Sequence, residues 1–162
     1  MGRSHVAPLQ WKKSRLGAQS SSKPSPMKHG KLSRILIVED DPDIQTVTRL
    51  ALEKLGGFEL DVCISGEEAL LSVPKFKPDL ILMDVMMPRL DGPHTVQALR
   101  EIPGLETLPV IFFTAKTQTT DMAEFRKMGV LGVIPKPFDP MSLSAEIERI
   151  WTSAREKSNT SP

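Results

Sequence analysis

Short apolar runs alternate with amphipathic stretches along most of the chain. Five of these runs are predicted to be strands, at residues 35–38, 58–64, 80–83, 109–113 and 130–134. Three of them, 35–38, 80–83 and 109–113, are nearly continuous in apolar residues, as is typical of strands buried on both faces of a parallel sheet. The run at 58–64 alternates instead, and it places Phe58, Leu60, Val62 and Ile64 on one side. The pattern therefore predicts a sheet with a core on each face.

Helical patterns follow each predicted strand. The first helix is predicted from Pro42 to Leu55, capped by Asp41 and closed by Gly56-Gly57. Its core-facing residues are predicted to be Ile44, Val47, Ala51 and Leu55. Further helices are predicted at about 66–73, 94–101 and 119–128, with a loop at 74–78. Asp139-Pro140 is predicted to cap a last helix, which has Leu143, Ile147, Ile150 and Trp151 as its apolar stripe and a polar tail beyond Arg155.

These elements form five βα units in sequence. Such an order favours an α/β fold with a doubly wound, five-stranded parallel sheet and right-handed crossovers, which places helices on both faces. We predict one domain at residues 33–153, preceded by a tail at 1–32 and followed by a polar tail at 154–162.

The charge distribution separates the tail from the domain. The net charge is +1, but residues 1–32 carry seven Lys or Arg and no acid, which leaves the rest of the chain acidic. This basic tail is rich in Ser, Lys and Pro and has too few apolar residues for a core, so we predict that it is disordered. It is interpreted as a solvated extension, or as sequence that precedes a true start at Met27. Contact with nucleic acid or an acidic membrane is the functional alternative.

Two further features bear on the cellular compartment. Cys63 is the only cysteine, so no intrachain disulfide can form, and its place in an apolar strand predicts a core thiol. No apolar run approaches the roughly 18 residues of a membrane span, and the amino terminus lacks the apolar core of a secretory signal. A cytoplasmic protein is the expectation.

Polar residues stand at the carboxyl ends of four of the predicted strands. They are Glu39 and Asp40 after the first strand, Asp84 after the third, Thr114 after the fourth and Lys136 after the fifth. In a parallel sheet these ends share one edge, and that edge is where open α/β folds bind ligands. We therefore expect three carboxylates, one hydroxyl and one ammonium group to converge.

This combination of groups suggests phosphoryl chemistry. Clustered carboxylates repel one another unless a cation neutralises them, and Mg²⁺ prefers oxygen ligands of this kind. A carboxylate such as Asp84 can attack a phosphoryl group to give an aspartyl phosphate. The metal and Lys136 would offset charge on the transferring group, and Thr114 would donate a hydrogen bond to the new phosphate.

Together these motifs resemble the receiver domain of two-component response regulators. The resemblance is carried by Glu39-Asp40, by Asp84 followed by Met-Met-Pro and Asp91-Gly92, by Thr114-Ala115 and by Lys136-Pro137-Phe138. It covers residues 31–151 and implies a flavodoxin-like fold with strand order 2-1-3-4-5. It also implies that a histidine kinase or phosphotransfer protein phosphorylates Asp84.

The resemblance assigns roles to the individual positions as well. Mg²⁺ is expected on Glu39, Asp40, Asp84 and the backbone carbonyl of Met86. Thr114 is expected to be the conformational switch and Lys136 to contact the phosphate, with a cis peptide between Lys136 and Pro137. One position departs from the family pattern, because Val133 occupies a site that is usually aromatic. The familiar aromatic movement coupled to the threonine is therefore not expected in its usual form.

The function predicted from the sequence is a stand-alone signalling switch and not an enzyme. After Trp151 only eleven residues remain, too few for a DNA-binding or catalytic domain, so output is expected to pass through a downstream protein target. The alternative is a small Mg²⁺-dependent phosphohydrolase with Asp84 as nucleophile, although Met86 stands where such enzymes commonly place a second acid. A flavin carrier on the same fold is disfavoured, because acidic strand ends would repel a cofactor phosphate.

Overall fold

The computed structural model describes residues 30–115 and 118–160. Its centre is a five-stranded parallel sheet with strand order β2-β1-β3-β4-β5, which confirms the predicted order and the flavodoxin-like fold. The strands are β1 (Arg34–Val38), β2 (Glu59–Cys63), β3 (Leu80–Asp84), β4 (Val110–Thr114) and β5 (Gly132–Pro135). The basic tail was predicted to be disordered. Its residues 1–29 lie outside the part of the chain that the structure describes.

Five helical segments connect and cover the strands. They are α1 (Pro42–Arg49), which continues as a π-helical segment at Leu50–Leu55, α2 (Gly66–Phe76), α3 (Gly92–Arg100), α4 (Thr119–Lys127) and α5 (Leu143–Thr160). One hydrophobic cluster joins the sheet to α1 and α5, and a second joins the opposite face to α2, α3 and α4. Among the described helices none combines the length and hydropathy that a membrane span needs.

The pleat of the central strands divides their side chains between these two cores. Ile35 and Ile37 of β1 belong to the cluster under α1 and α5, whereas Leu36 and Val38 belong to the cluster under α2, α3 and α4. All five residues of β3 and of β4 are buried. The nearly continuous apolar runs in the sequence thus reflect strands that are covered on both faces.

The predicted inner face of the first helix was wrong at two positions. Val47 and Leu55 are 40% and 54% exposed, whereas Thr48, Ala51 and Leu52 are buried. The π-helical segment explains Leu55, because the Gly56 amide donates to the carbonyl of Ala51, five residues earlier. This wider turn delays the return to the buried face, so Leu55 points outward.

The second βα unit also differs from its prediction. Strand β2 ends at Cys63, which is buried as expected, and Ile64 is exposed instead of sharing the inner side. Helix α2 runs through Pro74 to Phe76, so the predicted loop at 74–78 was wrong over its first half. Pro74 lies in the last turn, where it removes one helical hydrogen bond, and Lys77 ends the helix in a left-handed conformation with φ 55°.

The last helix starts later and ends later than predicted. Asp139 and Pro140 form a turn before it, in which the Asp139 carboxylate accepts the amide of Met141, and α5 begins at Leu143. Its predicted stripe is confirmed, since Leu143, Ile147, Ile150 and Trp151 are all buried. The helix continues to Thr160, so the polar segment after residue 153 is helical up to that residue.

Candidate functional site

The acidic residues at the ends of β1 and β3 meet at the carboxyl edge of the sheet. Asp84 is the last residue of β3, and Glu39 and Asp40 directly follow β1. Because Val38 pairs with Met83 in parallel register, the next residues of both strands emerge side by side. Each of the three carboxylates offers an oxygen that lies within 4.8 Å of the others. The structure thus brings together the three acids that the sequence singled out.

Two of these carboxylates are buried and the third is not. Glu39 and Asp84 are only 1% and 5% exposed, whereas Asp40 is exposed. Burial raises the pKa of Glu39 to about 7, against the opposing effect of a hydrogen bond from Lys136 and one from the Asp41 amide. Burial likewise raises the pKa of Asp84, with Lys136 as the main opposing influence. Burial thus disfavours the charged form of both carboxylates.

Among the described residues, Lys136 supplies the cation that pairs with both buried carboxylates. It follows β5, and its Nζ lies 2.7 Å from Oε2 of Glu39 and 3.3 Å from Oδ1 of Asp84. Its backbone amide donates to the carbonyl of Thr114, which ties the end of β5 to the end of β4. The peptide between Lys136 and Pro137 is cis, in agreement with the expectation from the resemblance.

Thr114 ends β4 at the same edge and is buried. It is paired in register with Pro135, the residue before Lys136. Val133, at the usually aromatic position, pairs with Phe112 and is half-buried against the cluster on the α2, α3 and α4 side. That face therefore has a small β-branched side chain where an aromatic ring was to be expected.

The loop after β3 wraps closely around Asp84. The Met86 amide donates to Oδ1 of Asp84, and its side chain points outward. Asp91 caps α3 by accepting the His94 amide, and the Gly92 amide donates to the carbonyl of Val85. A Cβ at Gly92 would lie 2.5 Å from the backbone oxygen of Asp84, so this close return of the chain requires glycine.

The donor set fits a hard divalent cation. Among the described residues, the Lys136 ammonium is the cation that pairs with Glu39 and Asp84, so the three carboxylates outnumber it. Carboxylate oxygens at this spacing are the ligands that Mg²⁺ takes, usually one or two per ion with water at the other positions. A cation bound there would favour the charged forms of Glu39 and Asp84, whose pKa values burial raises.

A doubly wound α/β fold with three acids, a hydroxyl and a lysine at its carboxyl edge defines a class of phosphoryl-accepting domains. Residues 35–148 match the response regulator receiver domain family, and this chain belongs to that family. Receiver domains of this family are signalling switches controlled by phosphorylation.

Individual relatives support the same assignment. The chain is 38% identical over 119 residues to the probable transcriptional regulator ycf29 of Porphyra purpurea, covering 72% of this chain and 55% of that protein. A 14.6 kDa protein in the sodA1 3′ region of Leptolyngbya boryana is 37% identical, with coverage of 67% and 82%. The chemotaxis protein CheY4 of Vibrio cholerae superposes with a TM-score of 0.69 at 28% identity, covering 74% and 99%. The chain spans about half the length of the first curated relatives that it matches.

One residue of the site was not anticipated from the sequence. The Lys136 ammonium lies over the ring of Phe113, 4.5 Å from its centroid. In the sequence Phe113 is only one of several apolar residues in a buried strand. Its single distinguishing signal was its place directly before Thr114, in register with Asp84.

Proposed function

We propose that this domain accepts a phosphoryl group on Asp84 from a histidine kinase or phosphotransfer protein and signals through a partner protein. The observation that carries the proposal is the buried Asp84 carboxylate, 3.3 Å from the Lys136 ammonium and within 4.8 Å of Glu39 and Asp40. A carboxylate in this position can act as a nucleophile while the surrounding charges stabilise the transferred group.

In the proposed transfer, a carboxylate oxygen of Asp84 forms a bond to phosphorus as the donor's nitrogen–phosphorus bond breaks, and the electron pair stays on the donor imidazole. Glu39, Asp40, Asp84 and the backbone carbonyl of Met86 are the proposed Mg²⁺ ligands. When bound, Mg²⁺ supplies positive charge to the phosphoryl oxygens. Lys136 adds a second positive charge, and its low exposure keeps that charge effective.

Thr114 is the proposed reporter of phosphorylation. Its position at the end of β4 places it next to β3, the strand that carries Asp84, and its backbone is tied to Lys136. A hydrogen bond from its hydroxyl to the new phosphate would shift the balance between two arrangements of the neighbouring segments. The proposed output surface consists of α4, β5 and α5, which adjoin this strand end.

The proposal is tested by incubating the protein with acetyl phosphate and Mg²⁺ and measuring intact mass. We expect one added phosphoryl group on the wild type and none on Asp84→Asn. Asp43→Asn is the matched control, because Asp43 is a nearby but exposed acid in the first turn of α1, and this variant should be modified as the wild type is. A gain in both Asp84→Asn and the wild type, or in neither, would contradict the assignment.

The same preparation separates a switch from a phosphohydrolase. A receiver takes up one phosphoryl group per molecule and loses it slowly, whereas a phosphohydrolase releases phosphate from a generic ester over many turnovers. Sustained turnover that Asp84→Asn abolishes would therefore favour the enzyme.

A further inference from the structure

Phe113 lies directly beneath the Lys136 ammonium group. Nζ is 4.5 Å from the centre of the ring, and Phe113 is fully buried. In the sheet Phe113 is paired with Asp84 on one side and with Ile134 on the other. The face of an aromatic ring carries partial negative charge and attracts a cation within about 6 Å, most strongly where water is excluded. The face of the Phe113 ring therefore attracts the ammonium group that lies over it.

The other two partners of the ammonium group have competing tasks. Glu39 and Asp84, at 2.7 and 3.3 Å, both belong to the acidic cluster that fits a divalent cation. Asp84 is also the proposed nucleophile. Lysine has a flexible four-carbon stem, so an ammonium group that lost both carboxylates would have several other positions within reach. Unlike these two carboxylates, the Phe113 ring would bind neither a divalent cation nor a phosphoryl group. Its contact with the ammonium group would therefore remain.

We propose that Phe113 is a positioning residue for phosphoryl transfer. Its ring holds the Lys136 ammonium at the edge of the site while Glu39 and Asp84 engage other groups. Phe113 acts through Lys136 and does not touch the reacting atoms. The inference rests on the proposed role of Asp84 as phosphoryl acceptor, and its tests are chosen to fail separately from that role.

Phe112 provides a matched comparison within the same strand. It is as deeply buried as Phe113, but its side chain belongs to the cluster on the opposite face of the sheet. Its ring meets that of Phe125 edge-on, with centroids 4.9 Å apart. Replacement by leucine removes similar packing at either position, whereas only Phe113→Leu removes a ring from beneath Lys136.

The first test is a double-mutant cycle on the unfolding equilibrium, measured without Mg²⁺. Phe113→Leu and Lys136→Met are made singly and together, and Phe112→Leu with Lys136→Met forms the control cycle. We expect coupling of roughly two- to thirtyfold in the unfolding constant for Phe113 with Lys136. The control cycle should be additive within about twofold. Additive effects at Phe113 and Lys136, or equal coupling in both cycles, would overturn the proposal.

A second measurement is made on the wild-type ring and therefore does not depend on whether Phe113→Leu folds. Protons above an aromatic ring resonate upfield, so the Cε protons of Lys136 should be shifted upfield from those of the other lysines in a wild-type NMR spectrum. Lys136 is identified as the signal that is missing in Lys136→Met. An unshifted Lys136 signal would overturn the contact.

The last test links the contact to the reaction. With acetyl phosphate and Mg²⁺, Phe113→Leu should take up the phosphoryl group roughly two to thirty times more slowly than Phe112→Leu. Equal rates in the two variants would overturn the positioning role even if the double-mutant cycle shows coupling. If the wild type takes up no phosphoryl group, the proposed function fails, and the cycle and the NMR shift still decide whether Phe113 holds Lys136.

Discussion

The Lys136 ammonium nitrogen lies 2.7 Å from Oε2 of Glu39, although 97 positions separate the two residues in the chain. Strands β3 and β4 lie between the two strands that these residues follow. The long lysine side chain therefore crosses the carboxyl edge of the sheet to reach a buried carboxylate. A divalent cation at the acidic cluster would compete with Lys136 for Glu39, so the stability of the domain should respond to both pH and Mg²⁺.

Without Mg²⁺, the domain should lose stability as the pH rises from about 4.5 to above 7. Burial raises the pKa of Glu39 to about 7 from an ordinary value of 4.5, so the folded state favours the protonated carboxyl. A group whose pKa is raised on folding stabilises the folded state fully at a pH below its unfolded-state pKa. This stabilisation is lost as the pH rises through the folded-state pKa. The loss should be of order 1–3 kcal/mol. Thermal unfolding across this pH range measures it.

Mg²⁺ should therefore stabilise the domain more at about pH 8 than at about pH 5, because it binds the deprotonated carboxylates. Glu39→Gln is the control, since it keeps the shape of the side chain but removes this titration. The unfolding temperature of this variant should vary less over the same pH range. The remaining variation should come from the titration of Asp84, whose pKa is also raised. Equal stabilisation by Mg²⁺ at both pH values would contradict this account.

Gly92→Ala should disturb the loop that holds Asp84. The added Cβ would lie 2.5 Å from the backbone oxygen of Asp84 and 3.0 Å from the Cα of Val85. These are backbone atoms, so the loop itself must shift, and we expect a loss of about 1–3 kcal/mol in the free energy of unfolding. Phosphoryl uptake from acetyl phosphate should slow in the same variant, because the Met86 amide contacts Asp84 from this loop.

Gly30→Ala is the matched control for this change, since a Cβ at Gly30 would have no heavy atom of residues 30–115 or 118–160 within 4 Å. Chemical denaturation of both variants measures the difference. If Gly92→Ala unfolds at the same denaturant concentration as Gly30→Ala, the loop accepts a Cβ at position 92 without loss of stability, which contradicts the prediction.

Much of the fold and the acidic cluster could be predicted because the signals are local. Buried strands such as β3 and β4 are nearly continuous in apolar residues, and each one delivers a polar residue at its end. Once the strands are parallel, geometry alone brings Glu39, Asp84 and Lys136 to one edge. The order of the strands then follows from the resemblance to a known family.

The features that could not be predicted depend on tertiary structure. Leu55 fits an α-helical stripe, but the π-helical segment before it turns the side chain outward. Pro74 normally favours a helix end, yet α2 continues past it for two more residues. The ring of Phe113 is an ordinary core residue in sequence, and its contact with Lys136 exists only because β4 and β5 are neighbours.

Thr48→Val should stabilise the domain by about 0.5–1.5 kcal/mol. Thr48 is completely buried, and its hydroxyl has no hydrogen-bond partner within residues 30–115 and 118–160. Valine has nearly the same shape, so it fills the site without an unpaired polar group. Thr46→Val is the matched control in the same helix, because Thr46 is exposed and donates to the Pro42 carbonyl. Urea denaturation compares the two, and destabilisation by Thr48→Val would show that its hydroxyl is in fact paired.

Helix α4 should be less protected than α5 in hydrogen exchange. Among the α4 side chains that the structure describes, Phe125 alone is buried, whereas α5 buries Leu143, Ile147, Ile150 and Trp151. Few buried contacts leave a helix with a low free energy of local opening. Amides at 119–127 should therefore exchange before those of α5, as followed by mass spectrometry. Equal protection of the two helices would contradict this.

Phe125→Ala should release α4 further and leave the strands protected. The ring of Phe125 packs edge-on against Phe112, whose strand ends at Thr114 two residues later. Its loss removes the main attachment of α4 to the sheet, so exchange at 119–127 should approach that of a loop. Met122→Ala, a change at a half-buried residue of the same helix, should have a smaller effect. Phe112 therefore joins this attachment to the strand that ends at Thr114.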